Sequence, residues 1–281
     1  MSESIDQPDR AAVPVLFIHG LWVSTLAWQP WQAMFERQGF TTSAPGYPGE
    51  ALDVQSARSD AGAQAGQGIE ALTEHYAAAA AALPSPPILV GHSFGGLIAQ
   101  KLLAGGTGRA AVTICPAPMR GVLPLPPAQL RSAWPVLSRP TNRHRAVALS
   151  RKQWRYAFGN ALSQEESDLL HEKWSIPSPG RPLFEAGTAN FSPSSPAAVP
   201  RPADRAPLLI IAGKADHTVP YASVRASYRL QRKSGAATDW AVFEGRGHCL
   251  TIDAGWADVA TKALQWLVQQ GISARPHSAS R

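Results

Sequence analysis

Short apolar runs, often β-branched, recur along the chain with stretches of helical apolar spacing between them. Pro14–Ile18, Phe40–Ala44, Ile88–Val90, Ala110–Cys115, Pro207–Ala212 and Thr238–Phe243 read as strands. Trp28, Trp31, Met34 and Phe35 fall on one face of a helix that Ser24 or Thr25 can cap and that ends near Gly39. Glu70–Leu83 is an alanine-rich helix, because alanine has the lowest helical cost. Leu97, Ile98, Leu102 and Leu103 continue the pattern until Gly105-Gly106 stops it, and further helices fall at Val224–Gln231 and Ala254–Gln270. The prolines and glycines of Pro45–Gly49 break regular structure, and a surface loop is expected to run from there to about residue 64. Alternating strands and helices require crossover connections, hence a mainly parallel, buried sheet of the doubly wound α/β class. Ligands of such sheets collect at the carboxyl ends of the strands.

Between Pro116 and Arg205 the pattern changes. Fourteen of the 25 prolines fall there, no strand is evident, and helical spacing returns only over Arg143–Phe158 and Gln164–Trp174. Ser163 can cap the second of these, with Glu165 and Glu166 in its first turn. The reading is a core of residues 14–117 and 206–271, a helical cap of residues 118–205, and flexible tails at 1–13 and 272–281.

Composition narrows the classes. With 281 residues, 44% hydrophobic and 16% charged, the chain can bury a large core, and no apolar run reaches the ~20 residues of a membrane span. The first residues lack the basic and apolar regions of a secretory signal, so a cytoplasmic location is expected. Two cysteines, Cys115 and Cys249, make neither a disulfide framework nor a four-ligand zinc site. The net charge of +6 comes without a nucleic-acid-binding motif.

The candidate chemistry lies at strand ends. Gly91-His92-Ser93-Phe94-Gly95 follows an apolar strand and opens a helix. Glycines two residues either side of Ser93 are what a strained strand-to-helix turn requires, since a Cβ there would meet neighbouring backbone. A serine hydroxyl needs a base, and the last strand ends in Glu244-Gly245-Arg246-Gly247-His248. An imidazole that gains a proton needs an acid to orient it, and Asp216 follows the preceding strand, whereas Asp253, Asp239 and Asp204 read as ordinary surface charge. His19 reads as shaping the loop after the first strand, His92 as packing behind the turn, and His217 as a neighbour of the acid. Trp22, Trp154, Tyr156 and Trp174 can line a pocket or simply seat the cap on the core.

These motifs, in this order, resemble the α/β-hydrolase superfamily of serine hydrolases, of esterase or lipase type, over nearly the whole chain outside the tails. The resemblance implies a triad of Ser93, His248 and Asp216, an oxyanion hole from the backbone N–H groups of Leu21 and Phe94, and no metal or organic cofactor. Members commonly begin with an extra strand pair, for which the chain before Pro14 is too short, so about six strands are expected. Relatives that open epoxides or remove halides use an aspartate where this chain has Ser93, which disfavours those reactions.

The expected reaction is cleavage of a small or medium carboxylic ester, lactone or thioester. Carbon–carbon hydrolysis and acyl transfer use the same residues, and some proteins of this fold are ligand-binding receptors. The cap carries twelve Lys/Arg against six acids, six of the bases lying between Arg139 and Arg155 with no acid among them. That run is either a solvated face or a positive potential that steers an anionic or carrier-borne acyl substrate.

Overall fold

Strands that are apolar on both faces must be covered on both sides, and the chain meets that demand with a single parallel sheet. The structure, a computed structural model, describes residues 12–274. Its strands are β1 (Pro14–Ile18), β2 (Thr41–Ser43), β3 (Ile88–His92), β4 (Ala110–Ile114), β5 (Ala146–Val147), β6 (Ser178–Pro179), β7 (Leu208–Gly213) and β8 (Thr238–Phe243). Six of them form the sheet in the order β2-β1-β3-β4-β7-β8, all parallel, while β5 and β6 pair separately as a short antiparallel ladder. The four central strands are buried at every residue, and the edges β2 and β8 are not. The expected doubly wound sheet of six strands is observed.

The helices are α1 (Gln29–Arg37), α2 (Val54–Ser59), α3 (Ile69–Ala81), α4 (Phe94–Ala104), α5 (Pro127–Leu137), α6 (Arg151–Ala157), α7 (Gln164–Trp174), α8 (Arg181–Gly187), α9 (Tyr221–Arg232) and α10 (Trp256–Gln269). Alternation along each strand splits the core in two. Leu16, Ile18, Leu89 and Ile210 face α3, α4 and α9. Val15, Phe17, Val90 and Ile211 face α1 and α10, whose Trp31, Phe35, Val259 and Trp266 fill that side. Strand order reverses between β1 and β3, so the loops that leave these strands part at the sheet's carboxyl edge and open a crevice.

Several expectations change. The surface loop from Pro45 to about 64 contains α2, capped by the Asp53 side chain, and a 3₁₀ turn at Ala61–Gln64. The helix expected over Arg143–Phe158 shrinks to α6: Ser150 and Gln153 form a reciprocal capping box that begins the helix there, and Ala146–Val147 is drawn into pairing with Ser178–Pro179. α5 was hidden by its prolines; Pro127 stands in its first turn, where no N–H is needed, but Pro135 lies inside it. The expected tails at 1–11 and 275–281 lie outside the described residues. Val13 and Ala274, also assigned to the tails, are buried and joined by a 3.3 Å hydrogen bond from the Val13 N–H to the Ala274 carbonyl.

The turn after β3 depends on absent side chains. A Cβ on Gly91 would lie 2.2 Å from the Gly95 carbonyl oxygen, and one on Gly95 would lie 2.1 Å from that of Ile18. Both obstacles are backbone and cannot swing away. Gly95→Ala is expected to cost about 3 kcal/mol or more, the upper end for overpacking, in urea denaturation. Gly187→Ala, where nothing lies within 4 Å, is expected to be near neutral; equal effects would show that space at Gly95 is not limiting.

Candidate active site

Ser93 leaves β3 at φ 56° and ψ −120°, and then caps α4. A residue with a Cβ is strained at this positive φ, and the turn holds it there by bonding the backbone on both sides. The Ser93 N–H donates to the Ile114 carbonyl at 3.0 Å, and its carbonyl accepts from Gly96 at 2.9 Å and Ala117 at 2.8 Å. Gly20 lies directly against it; a Cβ there would stand 2.7 Å from the Ser93 Cβ. The three described non-glycine residues with positive φ are Trp22, in the loop after β1, and Ser93 and Cys115, directly after β3 and β4. Strain is therefore concentrated at the crevice.

Asp216 stands in the turn after β7 and is 3% exposed. One carboxylate oxygen accepts the N–H groups of Thr218 at 2.7 Å and Val219 at 2.8 Å. The other lies 2.6 Å from His248 Nδ1. A carboxylate can only accept, so Nδ1 carries the proton and Nε2 of a neutral ring keeps its lone pair. Nε2 is buried without a hydrogen-bond partner among the described residues. The ring of His92, next to Ser93, lies 4.5 Å from that of His248. Burial, and then the charge of His248, push the His92 pKa well below its ordinary value, which keeps His92 neutral beside the pair.

Cys115, Asp216 and His248 place a sulfur, a carboxylate oxygen and a ring nitrogen within 4.8 Å of one another. That spacing matches three metal ligands, but the donors are already used. His248 Nδ1 and Asp216 hold each other, and Cys115 Sγ accepts the Gly213 N–H at 3.2 Å. Burial, followed by the charge of Asp216, raises the Cys115 thiol well above its ordinary pKa, so it is a poor source of thiolate.

A cluster of rings covers His248. Phe158, at the end of α6, meets the imidazole edge-on at 4.8 Å, stacks on Trp154 at 4.3 Å and meets Trp22 at 6.1 Å. Trp22 and Trp154 thus both pack on Phe158. Phe158, which no motif marked, is the member of this cluster that lies against the imidazole. Tyr156 does not join them: its ring lies under the Arg131 guanidinium at 3.9 Å and against His217. Trp174, buried, gives its carbonyl to the Ser24 N–H at 2.9 Å and its ring to the Lys173 ammonium.

The loop after β1 is bound on two sides. Toward the 118–205 segment, the Trp22 N–H donates to Ser178 Oγ at 2.6 Å and its indole N–H to the Val147 carbonyl at 2.9 Å. Toward the core, His19 Nδ1 lies 2.8 Å from the Gly20 carbonyl, and Nε2 lies 3.0 Å from the Glu50 carboxylate. The Tyr47 ring lies tilted against that of His19, centroids 3.9 Å apart, and its hydroxyl donates to the His19 carbonyl at 3.0 Å. Asp253 is not surface charge, being 3% exposed and paired with Arg246, whereas Asp239 is exposed, its carboxylate accepting the Trp266 indole N–H.

Residues 15–262 match the α/β-hydrolase family, and the chain belongs to it. No curated protein matches the sequence. Among solved structures the chain is similar to a monoacylglycerol lipase from Paleococcus ferrophilus, at 19% identity and TM-score 0.61, over 92% of this chain and 96% of that one. It is also similar to a thermophilic esterase from Thermogutta terrifontis, at 16% identity and TM-score 0.62, covering 92% and 90%. A methylesterase from Arabidopsis has 16% identity and TM-score 0.60, covering 92% and 99%.

Burial raises the Glu50 pKa, but the charge of His19 and the N–H groups of Thr25 and Tyr47 outweigh it, leaving the carboxyl below its ordinary 4.5. A lowered folded-state pKa gives stability that is complete above the unfolded value and lost as pH falls through the folded one. In thermal melts the excess of wild type over Glu50→Gln is therefore expected to be full at pH 7 and to shrink below pH 4.5. A pH-independent gap would remove the charge of Glu50 from the account.

Proposed function

We propose that the protein hydrolyses a small or medium carboxylic ester, lactone or thioester through an acyl-enzyme on Ser93. The observation that carries this reading is the buried Asp216–His248 bond, which fixes the tautomer with Nε2 unprotonated on a ring that lies 4.5 Å from that of His92, the residue before Ser93. Ser93 Oγ attacks the acyl carbon as its proton passes to Nε2, and the carbonyl oxygen becomes an oxyanion held by the N–H groups of Leu21 and Phe94. Collapse breaks the bond to the leaving oxygen or sulfur, which takes the proton from Nε2. Water then gives its proton to Nε2 and attacks the acyl-serine, and the acid leaves as Ser93 regains the proton.

Residues 118–205 act as a cap, and the Trp22, Trp154 and Phe158 rings favour an apolar group beside His248. The fold shared with the lipase and esterases above supports the reading at the level of scaffold. No described helix is long and apolar enough to cross a membrane.

A fluorophosphonate is expected to label Ser93, and Ser93→Ala to lose on the order of 10⁴-fold or more in kcat while keeping its melting temperature. Retention of ester hydrolysis within tenfold would remove Ser93 from the chemistry. Asp216→Asn should depress kcat/KM strongly, and p-nitrophenyl esters of increasing chain length then rank the acyl group.

The basic run is partly spent. Arg155 pairs with Asp168 at 2.8 Å and Arg151 with Glu172 at 3.3 Å, leaving Arg139, Arg143, Arg145 and Lys152 exposed and outside any ion pair among the described residues. If these steer an anionic substrate, kcat/KM for a negatively charged ester falls as salt rises from tens to hundreds of millimolar while a neutral ester does not respond, since the Debye length shrinks to about 8 Å at 0.15 M. Equal responses would make the run a solvated face.

A further inference from the structure

Glu50 is a buried carboxylate that the reaction itself does not use, and its side chain is 1% exposed. It is also a junction. Its two oxygens accept the Thr25 N–H at 2.8 Å, the Ser24 hydroxyl at 3.2 Å and the Tyr47 N–H at 3.3 Å, and one of them lies 3.0 Å from His19 Nε2. The His19 contact is close enough for an ion pair but off the line of a well-formed hydrogen bond. A side chain that meets three N–H or O–H donors is held as the carboxylate, and burying that charge without a cation is costly.

His19 completes the account. Its Nδ1 faces the Gly20 carbonyl oxygen and its Nε2 faces the carboxylate, so both nitrogens meet acceptors. The peptide unit that His19 grips through the Gly20 carbonyl also contains the Leu21 N–H. In a planar trans peptide the C=O and N–H point in opposite directions, so fixing one fixes the other. Gly20 lies against Ser93, where any Cβ would collide, and that places the same peptide beside the nucleophile.

We infer that Glu50 and His19 are positioning residues for the oxyanion hole: Glu50 holds His19, His19 holds the Gly20 carbonyl, and the Gly20–Leu21 peptide is thereby turned so that its N–H meets the oxyanion formed at Ser93. The inference rests on the acyl-enzyme reading above. Tyr47 works in the same assembly, packing its ring against His19 and tying down the carbonyl of the preceding peptide. The Glu50 carboxyl, held below its ordinary pKa, stays charged at neutral pH.

The experiment compares an ester with its thionoester, whose sulfur is a poor partner for oxyanion-hole donors, in wild type, Glu50→Gln, His19→Asn and the double variant, with melting temperatures alongside. One oxyanion donor is worth about 10²–10³ in kcat. Glu50→Gln is expected to lower kcat for the ester by about tenfold or more, within that ceiling, with KM little changed and the ester-to-thionoester ratio reduced. His19→Asn should do the same, and the double variant should lose little more than the worse single one, because both act on one peptide. A folded Glu50→Gln with the wild-type ratio, or single losses that multiply, overturns the inference. Should Glu50→Gln not fold, the ratio in His19→Asn decides. Failure of the acyl-enzyme reading shows differently: wild type itself then takes no fluorophosphonate at Ser93.

Discussion

The structure turns on backbone that must approach backbone around one residue. For Ser93 to sit above the sheet at a positive φ, β1, the turn and α4 have to meet at distances that admit no Cβ at Gly20, Gly91 or Gly95. Those contacts are affordable only because β1, β3, β4 and β7 are buried on both faces and cannot move apart. The core is thus the rigid frame against which the strain at Trp22, Ser93 and Cys115 is held. Each of these residues follows a strand, so the strain lies where ligands of doubly wound sheets bind.

Charge at this edge is arranged as two separate buried pairs. Asp216 with His248 stands on one side of Ser93, and Glu50 with His19 on the other. A buried carboxylate is stable only when its lone pairs are met, and both have backbone N–H groups besides their histidine: Thr218 and Val219 for Asp216, Thr25 and Tyr47 for Glu50. His92 lies between the pairs and is kept neutral by its burial and by the charge of His248. A cation at His92 would oppose any positive charge that His248 acquired.

Much of this was legible in the residues, for physical reasons. The parallel sheet was readable because buried strands are continuous apolar runs, and the Ser93 turn because only glycine meets its steric demands. Asp216 and His248 were readable because strand ends in such a sheet converge. Glu50 was not: it lies in a Pro- and Gly-rich loop, and its partners Ser24, Thr25 and His19 are 25 or more residues away in the chain, at the end of another strand. Phe158 was equally silent, since an aromatic residue at the end of a short helix has no local pattern to mark it. α5 was concealed because proline in a helix interior normally argues against a helix, and here tertiary packing of Ser132 and Val136 overrides it.

The two sides of the β1 loop are not equivalent, and the difference bears on how substrate binding and chemistry are joined. On the core side, His19, Glu50 and Tyr47 are anchored within the same scaffold as Ser93. On the other side, Trp22 is tied to residues that belong to the 118–205 segment: Ser178 Oγ, the Val147 carbonyl and, through Phe158, the ring cluster over His248. Val23 extends this link through a bridge to Ser175. Leu21 stands between the two sets of contacts, one residue from Trp22 and one from the Gly20 carbonyl that His19 faces. A shift of the segment large enough to part Trp22 from Ser178 would act on the peptide next to the proposed oxyanion donor, whereas the hold of His19 on Gly20 would survive it. The core contacts therefore set the direction of the Leu21 N–H, and the segment's contacts set how firmly the loop beyond it is clamped.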